Sequence, residues 1–165
     1  MNYPKIIVDT NKILAATIKP GRIRTLLYQA PITPTTPTQL LQEVEEHAQE
    51  IARKIGMSRE DFLTLFEKLI EDTTTLTTPT QPYIKRAQEI AMGFDLDDWP
   101  FIALSLQYNA PIWTNDKPLI KHSLKTRKYK ALDTRALEML IEGVEWKKIE
   151  EHLKERYGQD INTQG

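Results

Sequence analysis

Cysteine is absent from all 165 residues. Disulfide bonds, thiolate metal ligands and thiol nucleophiles are excluded together. A chain without disulfides fits the cytosol. Long apolar runs are missing as well, and no stretch reaches the roughly 18 uninterrupted apolar residues that a membrane-spanning helix needs. The start, Met1-Asn2-Tyr3-Pro4-Lys5, has no apolar segment of the kind that opens a secretory signal. The expectation is a soluble, cytoplasmic protein with no membrane partner. Neither sign of charge is in excess: 22 basic residues against 23 acidic ones leave a net charge of −1. That balance excludes a broadly basic nucleic-acid coat, so any nucleic-acid contact must come from a local patch. Histidine is scarce, and His47, His122 and His152 show no metal-ligand spacing. No catalytic role is assigned to them.

What is present is a chain long enough for one domain with a real core. Ile6-Ile7-Val8 is β-branched and continuous, which predicts a strand over 5–9 buried on both faces. A helix over 11–17 follows, Pro20-Gly21 interrupts it, and 22–29 resumes it. Ile32-Thr33 reads as a short strand. Thr36-Pro37-Thr38-Gln39 and Thr78-Pro79-Thr80-Gln81 each offer a Thr N-cap, a Pro at the first helical position and a Gln at the third. They predict helices from about 37 to 55 and near 83–92. Gly56 ends the first of these, and Ser58 starts another carrying Phe62, Leu65, Phe66 and Leu69 on its inner stripe. The Thr-rich stretch 73–80 reads as a strand end around Leu76 followed by a helix cap. Residues 99–108 are apolar almost all round, as in a helix buried between layers. A strand at 112–114, a helix near 117–125, a short strand at 129–132 and helices near 134–142 and 145–157 complete the chain. Strands alternating with helices predict a three-layer α/β/α sandwich with a central parallel sheet of four to five strands.

Four carboxylates stand at ends of these segments. Asp9 closes the first strand, and Asp116 follows Ile112-Trp113-Thr114-Asn115. In parallel sheets, ligands bind beyond the carboxyl ends of the strands. Glu43 falls early in the helix over 37–55, and Asp98 just ahead of the helix over 99–108. Hard divalent cations such as Mg²⁺ prefer oxygen ligands, and a carboxylate cluster is costly without them. Each acid also has an ordinary reading. Asp9 can be a turn former, Glu43 part of a solvated acidic face with Glu45, Glu46 and Glu50, and Asp116 a helix cap.

Taken in order, Val8-Asp9-Thr10-Asn11, Gln42-Glu43, Asp95-Leu96-Asp97-Asp98 ahead of Phe101-Ile102-Ala103-Leu104, and Trp113-Thr114-Asn115-Asp116-Lys117 resemble the successive motifs of the PIN-domain nucleases. The resemblance covers roughly residues 5–135. It implies a PIN-like catalytic domain over 1–135, with C-terminal helices over 136–165 packing on the same domain. It implies a metal-dependent endoribonuclease with Asp9, Glu43, Asp98 and Asp116 as its acidic quartet. Asp9, Asp98 and Asp116 are the implied ligands of Mg²⁺ or Mn²⁺, and Thr10, Asn11 and Thr114 the polar groups that orient the carboxylates. Asp98 fits the family spacing better than Asp95 or Asp97, which read as helix-start carboxylates. Many members are the toxins of toxin–antitoxin pairs, so an antitoxin protein and a homodimer are the partners to consider besides RNA.

From Lys117 to Leu132 there is no acid, while Lys117, Lys121, Lys125 and Arg127 fall within that stretch. With Arg22 and Arg24 beyond the first helix, they are the candidate RNA contacts, since an acidic cleft needs nearby cations to hold a phosphate backbone. Trp99 and Trp113 read as core. An aspartate-nucleophile phosphatase wants a second carboxylate two residues after the first, and Asn11 stands there instead. The alternative that stays open is a non-catalytic RNA- or protein-binding module of the same fold.

Overall fold

In the computed structural model, which describes residues 3–158, Ile6, Ile7 and Val8 are wholly buried. They form β1 (Lys5–Val8), the middle strand of a parallel sheet. β2 (Thr33–Pro37) and β3 (Thr75–Thr77) lie on one side of it. β4 (Ile112–Trp113) and β5 (Ala131–Leu132) lie on the other, in the order β3-β2-β1-β4-β5. Every pairing is parallel, with Ile7 opposite Thr35 on one side and Ile112 on the other. A strand segment covered on both faces must be apolar, and Ile6–Val8 of β1 and both residues of β4 meet that demand.

Helices α1 (Thr10–Ile18), α2 (Arg22–Gln29), α3 (Gln39–Ile55) and α4 (Arg59–Thr73) pack among themselves. The other face is covered by α5 (Tyr83–Met92) and α6 (Trp99–Tyr108), and α6 touches β1, β2 and β4. The near-absence of a polar face on α6 follows from that position, since Phe101 to Ser105 are all buried. Beyond β4, α7 (Lys117–Thr126) packs on β5 and on α9 (Trp146–Tyr157), and α8 (Thr134–Ile141) joins them. The architecture is the α/β/α sandwich expected, with five parallel strands among the described residues. The helices after residue 135 bury Leu137, Ile149, Leu153 and Tyr157. Residues 1–2 and 159–165 of the two predicted segments lie outside the described residues.

Both predicted capping boxes are corrected. Thr36 and Pro37 belong to β2, and α3 starts at Gln39 with Thr38 as its N-cap and no side-chain cap. The Thr36 hydroxyl donates instead to the Val8 carbonyl at 3.0 Å, and Thr38 N donates to the Thr77 carbonyl at 3.1 Å. Sheet pairing therefore runs two residues further than the local pattern implies. At the second box, both the amide and the hydroxyl of Thr80 donate to Gln107 Oε1. The helix then waits until Tyr83, while the Gln81 side chain accepts from Lys85 N at 3.2 Å.

Candidate active site

With this strand order, β1 leads outward to β2 while its other neighbour, β4, is reached from β3 by a crossover. The carboxyl ends of β1 and β4 thus flank the reversal point of the sheet, where open α/β folds bind ligands. Asp9 follows β1, and its amide donates to Trp113 O at 3.0 Å, extending the β1–β4 ladder. Although Asp9 is the N-cap residue of α1, its side chain makes no cap hydrogen bond. It accepts the Thr114 hydroxyl at 2.6 Å instead. Thr114 is fully buried, and its oxygen also accepts from Asp116 N at 2.9 Å. One threonine therefore sets two acids relative to each other. Asp116 caps α7, accepting from Leu119 N at 3.3 Å. Thr10, in the first turn of α1, donates to Glu43 Oε2 at 3.1 Å and so ties α3 to the same rim.

Asp98 is delivered by a 3-10 turn, Leu96–Asp98, that runs into α6. Asp95 spends a carboxylate oxygen on Asp97 N at 3.0 Å, capping that turn. Asp98 makes no such cap bond, and its Oδ2 is buried without a hydrogen-bond partner. Burial, reinforced by the charges of Asp95, Asp9, Asp116 and Asp97, pushes the Asp98 carboxyl up to about 7. Asp9 is raised as well. Burial is the main cause, the Thr114 hydroxyl and Thr10 amide oppose it, and the charges of Asp116 and Glu43 add to it.

These side chains line one cleft of about 580 Å³. Asp9, Thr10, Asn11, Glu43, Asp98 and Asp116 are all on its walls, with Asp95, Asp97, His47 and Trp99 beside them. Trp113 is core, as read from the sequence, whereas Trp99 is only half-buried at the rim. Among the described residues, no three acidic or histidine side chains are gathered tightly enough to form a ready coordination sphere. The chemistry of the set nevertheless fits a hard divalent cation: the acids are oxygen donors, mutually repelling, and one buried carboxylate oxygen has no partner.

The basic candidates separate into two groups. Arg24 turns inward, donating to the carbonyls of Ala16 at 2.7 Å and Thr17 at 3.1 Å, where it closes the end of α1. Arg22 pairs with Glu138, and Arg127 lies 3.7 Å from Glu150. Lys117, Lys121 and Lys125 recur every four residues along α7, which starts directly after Asp116. That spacing puts them on one helix face leading away from the acids. Among the described residues, no lysine or arginine lines the cleft.

Two residues escaped the sequence reading. Lys12 is buried in α1 and donates to Asn115 Oδ1 and to Thr134 Oγ1, the latter at 3.1 Å. Asp133 caps α8 through Ala136 N and accepts from Tyr157 Oη at 2.8 Å and Arg156 at 3.1 Å. The Asp133-Thr134 pair ahead of an apolar helix was a cap signal in the sequence, but nothing marked Lys12 as buried. A family model described as the PIN domain matches residues 7–154. No curated protein matches the chain.

Proposed function

The chain belongs to the PIN-domain family, which carries a nuclease-type fold, and from that premise we propose a cytoplasmic, Mg²⁺- or Mn²⁺-dependent endoribonuclease. The observation that carries this reading is the acidic cleft at the reversal point of the sheet, with the buried, unpartnered oxygen of Asp98 in its wall. Asp9, Asp98 and Asp116 are the residues to hold the ion, with Glu43 completing the site. A bound divalent ion supplies polarisation of the phosphoryl group and activation of water. The chain's own residues do the rest. Thr114 holds Asp9 and the Asp116 backbone in one geometry, and Thr10 holds Glu43. Burial and the neighbouring acids push the Asp98 carboxyl up to about 7, so its ionised form would be favoured, and its proton displaced to solvent, once a cation is bound there. The lysine face of α7 is the element suited to a phosphate backbone.

Single-stranded RNA incubated with Mn²⁺ or Mg²⁺, with and without EDTA, tests the reading. Cleavage is expected only with the free ion, and Asp9→Asn and Asp116→Asn should each abolish it. Cleavage that survives chelation or both substitutions defeats the mechanism. One observation favours a second reading, a non-catalytic RNA- or protein-binding module: among the described residues, no three acids are gathered on one point. Binding without cleavage in the same assay decides for it. A toxin role is a subsidiary proposal. It requires an antitoxin that occludes the cleft, and co-purification with the product of a neighbouring reading frame would identify one.

A further inference from the structure

Lys12 is 1% exposed, yet the hydrogen bonds it donates go to neutral oxygens, Asn115 Oδ1 and Thr134 Oγ1. Its ammonium also lies 5.5 Å from the centre of the Trp113 ring. Thr134 Oγ1 accepts from Trp113 Nε1 at the same 3.1 Å, so one hydroxyl joins α1, β4 and the start of α8. An ammonium away from water and without a full counter-charge in contact is costly, and a methionine, one atom shorter, would fill most of the space at lower cost. Packing alone therefore does not account for a lysine here.

What the lysine does hold is Asn115, the middle residue of the turn between β4 and α7. Thr114 is fastened to Asp9, and Asp116 is fastened to its own helix through Leu119 N. Asn115 itself is exposed on the turn, and the bond from Lys12 ties it back to α1. Side chains on a helix lean toward its N-terminus, so Lys12 reaches back to the carboxyl edge of the sheet where both acids emerge. We propose that Lys12 is a positioning residue of the cleft, acting through Asn115 to hold the turn that presents Asp116 beside Asp9. The inference rests on the nuclease reading for its kinetic consequences, but the tether and its effect on cation binding do not require cleavage.

The test uses the full chain as Lys12→Met, Asn115→Ala and the double variant. Outer groups that orient metal ligands are worth about 10–100-fold in metal affinity or activity. Each single variant is expected to bind Mn²⁺ at least about tenfold more weakly by calorimetry, with its circular dichroism unchanged. kcat on RNA should fall by a similar factor while KM stays within about twofold, because the phosphate-binding face is untouched. The double variant should be no worse than the worse single, since both break one link. Losses that multiply, or an Mn²⁺ affinity unchanged in Lys12→Met, overturn the proposal. If Lys12→Met does not fold, Asn115→Ala carries the test alone, and wild-type Mn²⁺ affinity in that variant overturns it equally. A wild-type protein that binds Mn²⁺ but cuts no RNA defeats the nuclease reading and leaves the tether to be judged by calorimetry.

Discussion

Asp98→Asn is expected to make the protein more stable at pH 8 in the absence of divalent ions. The carboxyl titrates at about 7 in the fold against a usual value of 3.8, because burial and four neighbouring acids disfavour its charged form. The folded state therefore binds this proton more tightly than the unfolded chain does. Between pH 3.8 and 7 stability falls as pH rises, and above 7 the full penalty is present. Taken at face value the difference is about 4 kcal/mol, at 1.36 kcal/mol per pH unit. Asp98 is only half-buried and its neighbours can relax, so about 1–2 kcal/mol is the working figure. At roughly 2–4 °C per kcal/mol for a chain of this size, the whole penalty is about 2–8 °C in Tm, and a little over half of it is recovered on going from pH 8 to pH 5, because the rest is regained only between pH 5 and 3.8. Asp98→Asn should flatten this dependence and melt higher than wild type at pH 8, while Mg²⁺ or Mn²⁺ should raise the wild-type Tm far more than the variant's. His122, whose pKa is lowered by burial and by Lys125 and Lys128, acts in the opposite direction, but it does so in both proteins and cancels in the difference. Calorimetric melts of both proteins at pH 5, 6, 7 and 8, with EDTA or with ion, provide the comparison. A wild-type Tm that is flat or rises between pH 5 and 8 relative to the variant refutes the reasoning, as does a variant less stable at pH 8.

Three further outcomes are expected. Thr114→Val removes the 2.6 Å bond to Asp9 and the acceptor for Asp116 N, and should lower activity about 10–100-fold at constant RNA affinity, measured by single-turnover cleavage. Replacing Lys117, Lys121 and Lys125 together by Gln should weaken RNA binding and reduce the slope of log affinity against log salt by about 2, at about 0.7 per contact on a single strand; an unchanged slope moves the RNA surface elsewhere. Asp133→Ala strands the buried Tyr157 hydroxyl and uncaps α8, and should cost about 2–4 kcal/mol in urea unfolding. Its effect on Mn²⁺ affinity should be small, because Asp133 does not line the cleft.

Much of the architecture was legible because its signals are local and strong. The run Ile6-Ile7-Val8 has no stable place except a strand covered on both faces, and the all-apolar 99–108 segment has none except between layers. Asp9 and Asp116 could be put at strand ends on the same grounds. Where the reading failed, a residue had two partners to choose from and the distant one prevailed. Thr36 can cap a helix three residues on, but the Val8 carbonyl, 28 residues away, claims its hydroxyl once β2 lies beside β1. Arg24 reads as a surface cation, yet the free carbonyls at the end of α1 take its guanidinium.

The acids divide along the same line. Their order and spacing pointed to the family, and the sheet topology inferred from alternation put two of them at one edge. Among Asp95, Asp97 and Asp98 the family spacing favoured Asp98, and burial adds that its Oδ2 lacks a partner while Asp95 accepts from Asp97 N. Lys12 lay wholly outside what pattern can reveal, since nothing in Asn11-Lys12-Ile13 announces a buried ammonium. By itself the sequence determined the layers, the alternation of strands with helices and the family, because hydrophobic periodicity, residue chemistry and motif order are properties of the chain. The tertiary structure alone decided which polar groups meet, because a hydrogen bond or a desolvated charge depends on partners that folding brings from tens of residues away.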